Sequence, residues 1–194
     1  MNFKNLAMRK KKRMGKIQLL FECLFNWKQV KQASKESQKN ADAIFCQSFG
    51  LRKQDPGISN KFLANCILKA YSQSPKPLII QKDCADAFPV DVKVDRVISK
   101  HQAPGKYLDS YEVSRQCFDY CRANNLKTVL IFAHPHHIWR VQKTVEKFGL
   151  IGVIGDTAGM PYDPKSIQIW TRTKLFFVPR ELLTRLFYLF SNKI

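Results

Sequence analysis

The sequence predicts a layered α/β fold around a mostly parallel sheet, and three observations lead there. Short β-branched and apolar runs alternate with segments whose apolar residues recur every three or four positions, as expected of parallel strands joined by helices. Residues 127–156 carry the unit in full: a strand-like run at 128–133, a polar turn with three histidines, a helical pattern, Gly149 as a stop, and a second strand at 150–154. With 194 residues, 45% of them hydrophobic, the chain can bury one sizeable core. The expected organisation is a basic arm with a short amphipathic helix and connector at 1–40, then a single domain at 41–194.

Each element has its own signal. In the arm, the basic run at 9–13 precedes Ile17, Leu20, Phe21, Leu24 and Phe25, which repeat at helical spacing. Residues 28–40, rich in Lys, Gln and Ser, read as a solvated connector. A first strand is expected at 41–47, followed by a loop holding Gly50, Arg52, Pro56 and Gly57. Ser59 is expected to cap a helix that buries Phe62, Leu63, Cys66, Ile67 and Ala70 and ends before Pro75 and Pro77. Strands follow at 78–80 and 94–98, and Asp109 or Ser110 opens a helix through Val113, Cys117, Tyr120 and Cys121. After the strand at 128–133, Ile138, Val141, Val145 and Phe148 mark the next helix. The segment 172–190 reads as helical except at Pro179, with a stripe of Leu182, Leu183, Leu186, Phe187 and Phe190 that covers the domain or pairs with the N-terminal helix.

Charge and cysteine usage bound the function classes. Lys and Arg number 33 against 15 acids, a net charge of +18. Eleven of the basic residues fall in the first 40 positions, against Glu22 and Glu36 alone. The remaining 22 basic and 13 acidic residues leave the domain moderately basic, which favours anionic ligands or surfaces. The arm suits peripheral contact of residues 1–28 with an anionic membrane. Its apolar part is too short and too interrupted to cross a bilayer, and it lacks a cleavage pattern of small residues. Nucleic acid is disfavoured, because no basic motif interleaved with aromatics recurs. Six cysteines without a CxxC pair suit buried, reduced thiols in a cytoplasmic protein.

Candidate chemistry gathers where strands end. In a parallel sheet the loops after the strands open on one edge, where ligands bind. Arg52, Lys82, His137 and Arg140 are expected to meet an anion there, a phosphate or carboxylate. Ser110 and Glu112 either orient His137 and contact a sugar hydroxyl, or serve their helix start alone. His137 and Glu112 are the candidate acid–base residues, histidine being the usual proton carrier near neutral pH. No metal is expected, since His134, His136 and His137 lack ligand spacing around their proline. The glycine-rich dinucleotide and nucleoside-triphosphate loops and the Gly-x-Ser-x-Gly nucleophile turn are absent.

The order of these parts resembles the YdcF, SanA and ElyC family over about residues 41–190. Asp42, Ala43 and Ile44, then Gln47, Ser48, Phe49 and Gly50, match the family's aspartate, hydrophobic strand and glycine turn. Ser110, Tyr111, Glu112 and Val113 stand at its Thr-x-Glu-Asn, and His137 and Arg140 match its HxxR, followed by Gly149 and Leu150 as its Gly-Leu. The family's Ser-Gly-Gly after the second strand is replaced by Gln81, Lys82 and Asp83, which alters how closely a ligand approaches the backbone. The resemblance implies a three-layer Rossmann-like sandwich, a link to envelope physiology, and S-adenosylmethionine as a ligand associated with one member. The resemblance and the strand-end cations Arg52 and Lys82 together give the expected binding set: Gln47, Ser48, Gly50, Arg52, Lys82, Ser110, Glu112, His137 and Arg140. Two functions are expected: binding of a nucleotide-like or phosphorylated small molecule at the strand ends, or a non-enzymatic peripheral adaptor that uses the arm on an anionic membrane or partner.

Overall fold

A computed structural model describes residues 15–27 and 32–194. The basic run at 9–13 and the start of the connector therefore lie outside the described residues. The elements in order are α1 (Lys16–Phe25), α2 (Lys35–Lys39), β1 (Ala43–Cys46), α3 (Gly57–Gln73), β2 (Leu78–Gln81), α4 (Lys82–Ala85) and β3 (Arg96–Ile98). They continue with α5 (Ser110–Ala123), β4 (Thr128–Phe132), α6 (Ile138–Lys147), β5 (Ile151–Ile154), a 3-10 turn (Ile169–Thr171) and α7 (Lys174–Phe190).

The sheet is parallel throughout, in the order β3-β2-β1-β4-β5. Strand alternation splits the core into two layers. Ala43 and Phe45 face the side closed by Val113 and Cys117 of α5 and by Val141 and Val145 of α6. Ile44 and Cys46 face the side closed by Leu63, Ala64 and Ile67 of α3. The result is a helix–sheet–helix sandwich of Rossmann-like kind. A third cluster lies outside it, where Leu19, Leu20 and Cys23 of α1 meet Tyr188 and Leu189 of α7 over Trp139.

Several expectations change in detail, each for a local reason. The helix expected to start at Ser59 starts at Gly57, because the Asp55 carboxylate accepts from the Gly57 amide at 2.7 Å. Ser59 lies inside the helix, buried, and donates to the Pro161 carbonyl at 2.8 Å. Asp109, not Ser110, caps α5 by accepting from the Glu112 amide at 2.8 Å. The connector contains the short helix α2, capped by Ser34. α7 continues through Pro179; the carbonyl of Leu175 loses its helical partner there, on a turn exposed to solvent. α6 does end at Gly149, whose φ of +95° suits glycine.

All six cysteines are free thiols, five of them buried. Among the described residues no helix is long and apolar enough to cross a membrane.

Asp42 ties the central strand β1 to its neighbour β4. Its carboxylate accepts from the Lys127 and Thr128 amides, both at 2.8 Å, just as β4 begins beside β1. Asp42→Ala is expected to cost about 1–2 kcal/mol, since two hydrogen bonds to a charged acceptor are lost at an exposed position. Urea unfolding should show a lower midpoint with an unchanged slope. A midpoint equal to wild type would show that the clamp adds nothing.

Candidate functional site

The chain runs from β1 outward to β2 and β3, then crosses back to place β4 and β5 on the other side of β1. The reversal falls between β1 and β4, and a cleft of about 230 Å³ opens outside their carboxyl ends. This is the switch point at which open parallel sheets bind ligands. Gln47 and Ser48 enter it after β1, Gln81 and Asp83 after β2, and His137 after β4. The start of α5 and one side of α7 complete the walls.

The polar groups at the cleft floor hold one another. Gln47 Nε2 donates to the Ser110 carbonyl and to Ser114 Oγ, both at 3.0 Å. That turns Gln47 Oε1 toward His137 Nε2, 3.2 Å away, so the ring donates there and keeps its other nitrogen unprotonated. Ser110 Oγ lies 3.3 Å from the same Nε2. His137 Nδ1 is buried without a hydrogen-bond partner, and the nearest Glu181 oxygen is 3.6 Å away, too far for one. Burial first, and the Arg140 charge second, pull the His137 imidazole below its ordinary value. Ser110, His137 and Glu181 thus lie in the order of a nucleophile–base–carboxylate relay but lack both its histidine–carboxylate hydrogen bond and its electrostatics. An imidazolium at His137 would face two guanidiniums across a single carboxylate.

Arg140 does not offer its charge to the cleft. Its Nε donates to Glu181 at 3.0 and 3.1 Å, its Nη2 donates to Glu181 Oε2 at 2.7 Å, and both side chains are buried. Arg185 donates to the same carboxylate at 3.3 Å, to the Asn26 carbonyl at 2.9 Å and to the His136 carbonyl at 3.1 Å. Its guanidinium also stacks over Trp27 and Trp139, at 4.0 and 4.7 Å from the ring centres. Arg140 holds the Glu181 carboxyl far below the usual carboxylate range, against the opposing effect of burial.

The other expected residues divide sharply. Gln47, Ser48, Gly50, Ser110, His137 and Arg140 all line the cleft, whereas Arg52, Lys82 and Glu112 do not. Arg52 is held by Asp163 at 2.8 Å and by Asp55 at 3.1 Å. Lys82 pairs with Asp86 in the exposed first turn of α4. Glu112 accepts from Arg115, Gln116 and the Gln102 amide, which together hold its carboxyl down to about 2 despite burial. The expected meeting of four cations on one anion therefore does not occur. Gly50 has a φ of +81°, so that turn still requires glycine. The neighbouring amides are spent, since Ser48 N donates to Gln81 Oε1 at 3.0 Å and Phe49 N to Asn60 Oδ1 at 2.9 Å.

The helix at 172–190 was expected, but its charged residues were not expected at the cleft. Glu181 was legible as the single acid in the apolar segment 172–190, four residues before Arg185. Arg180 lines the cleft and lies 4.1 Å from the Trp170 ring, with no carboxylate partner among the described residues. His134 and His136 serve local packing: His134 stacks on Phe49 with ring centres 4.0 Å apart, and His136 Nδ1 lies 3.0 Å from the Tyr162 hydroxyl. Among the described residues, no three His, Cys, Asp or Glu side chains are placed to hold a metal ion.

The chain matches no family model, no curated protein and no solved structure.

Removing one partner of a buried ion pair strands the other charge, so Arg140→Ala is expected to cost about 3–5 kcal/mol in denaturant unfolding. A loss under about 1 kcal/mol would show that the Glu181 network is not structural. The buried histidines contribute to the first part of the acid limb, above the range of the carboxylates. Burial holds His134 down to about 2, whereas in the unfolded chain it titrates near about 6.5. Below that pH the unfolded state binds more protons, so this stability is complete above about pH 6.5 and is lost as pH falls toward the folded value. His134→Leu should flatten that loss by up to about 1.4 kcal/mol per pH unit, read from unfolding midpoints between roughly pH 6.5 and 4. An unaltered slope would contradict it.

Proposed function

We propose that the protein binds a small hydroxylated molecule carrying one phosphate or carboxylate in the cleft between the carboxyl ends of β1 and β4. The observation that carries this reading is Arg180. Every other cation that the sequence pointed to is neutralised by a carboxylate, while Arg180 borders the cleft braced only by Trp170. A guanidinium with a free fork suits bidentate recognition of such an anion. Ser110 Oγ and the Asp83 carboxyl, on the facing walls, supply the donor and acceptor that sugar hydroxyls need.

Size narrows the class. A volume of about 230 Å³ lies below the roughly 300–1,000 Å³ usual for drug-sized ligands, and suits a phosphorylated sugar or the ribose-phosphate part of a nucleotide. The reading is one of binding and assigns no reaction, because His137 is held neutral and Glu112 lies outside the cleft. Membership of the YdcF, SanA and ElyC family is part of the same proposal, supported by motif order alone. S-adenosylmethionine therefore belongs among the ligands tried, and cytoplasmic placement rests on the free cysteines.

Calorimetry with sugar phosphates, nucleoside monophosphates, S-adenosylmethionine and the matching unphosphorylated sugars tests it. A phosphorylated ligand should bind, its unphosphorylated counterpart should not, and Arg180→Gln should weaken binding about tenfold or more. Ser110→Ala should weaken it by a smaller factor, near the value of one neutral hydrogen bond. Binding untouched by both substitutions would place the ligand elsewhere.

A further inference from the structure

We propose that α1 and α7 together form a docking face for an anionic lipid bilayer surface, independently of what the cleft binds. The two helices pack on each other through Leu19, Leu20, Cys23, Leu186 and Leu189. Each leaves further apolar residues in solvent. On α1 these are Ile17, Phe21, Leu24 and Phe25, at spacings of four, three and one, with Phe21 60% and Phe25 71% exposed. On α7 these are Leu183 and Phe190, 68% and 79% exposed, with Phe187 between them shared with the cleft wall. Leu175 and Phe176 extend the exposure toward the helix start. Single exposed apolar residues are ordinary on a protein surface, but series of large ones along two adjoining helices mark an interaction site.

Charge selects the occupant. Residues 1–27 hold seven basic residues and one acid, Glu22, which is taken by Lys143 at 3.2 Å. α7 holds one acid as well, Glu181, buried against Arg140. Its exposed charges are Lys174 and Arg180. Apolar faces on helices whose exposed charges are Lys16, Lys174 and Arg180, with no free carboxylate on either helix, match a bilayer that offers acyl chains below anionic headgroups. A second copy of this chain would instead set two molecules of net charge +18 against each other. Neither helix is long and apolar enough to span, so both would lie in the plane of the interface.

Flotation of the full chain with phosphatidylglycerol–phosphatidylcholine vesicles and with phosphatidylcholine vesicles is the test. Wild type should float with the anionic vesicles and not with the zwitterionic ones. Leu183→Glu with Phe190→Glu, and separately Phe21→Glu with Phe25→Glu, should each lower the bound fraction about tenfold or more. All four side chains are exposed, so an unchanged unfolding midpoint is expected and separates lost docking from lost folding. Wild-type flotation by the α7 variant overturns the proposal, as does failure of wild type to bind anionic vesicles. A wild-type dimer that the α7 variant dissociates would assign the face to a second copy and overturn it too.

Discussion

The Glu181 carboxylate is the constraint on which the carboxyl edge of this protein depends. It sits buried between the guanidiniums of Arg140 on α6 and Arg185 on α7, and no single solvated charge could remain there. Arg185 carries the connection further, through the Asn26 carbonyl to the end of α1 and through the His136 carbonyl to the turn after β4. One ionic cluster thus fixes the positions of three helices and a strand end. The aromatic rings of Trp27 and Trp139, stacked against Arg185, make that arrangement dry as well as charged.

The same cluster redistributes the chemistry of the cleft. By neutralising Arg140 it removes a cation from the cleft wall, while burial first, and the guanidinium of Arg140 second, pull the His137 imidazole below its ordinary value. Gln47 then holds the ring by its Nε2, and a histidine that looks like a proton carrier in sequence behaves as a hydrogen-bonding wall residue. The free charge of the cleft passes to Arg180, one residue before Glu181 in the chain. Adjacent positions on α7 therefore carry opposite duties: Glu181 turns inward to lock the helix down, and Arg180 lines the cleft.

The turns after β1 and β2 point the same way. Where the family pattern would present glycines and open amides, Gln81 and Asn60 side-chain oxygens occupy the Ser48 and Phe49 amides. A phosphate cradled by that backbone would have to displace them. The proposed contacts are accordingly side chains: Ser110 on α5, Arg180 on α7 and Asp83 on α4. The apolar outer side of α7 extends from the same helix, so one element closes the core, walls the cleft and leaves Leu183 and Phe190 exposed.

Periodicity alone determined most of the architecture, because strands and helices bury their faces with periods near 2 and 3.6 whatever lies beyond them. The strands at 128–133 and 150–154, the stop at Gly149 and the switch from β-like to helical patterning around His134–His137 were all legible in that way, and the sheet order followed the expected parallel class. Element edges were less so: Ser59 has the composition of a cap, yet a carbonyl 102 residues away claims its hydroxyl. Side-chain partnership was illegible for the same reason on a larger scale. Arg52 meets Asp163, Arg140 meets Glu181 and Glu112 meets Arg115, and only the last pair is close in sequence. The residue types therefore announced a basic strand edge, but which charge stays unspent depends on distances between elements that only the folded chain sets, and those distances leave it to Arg180.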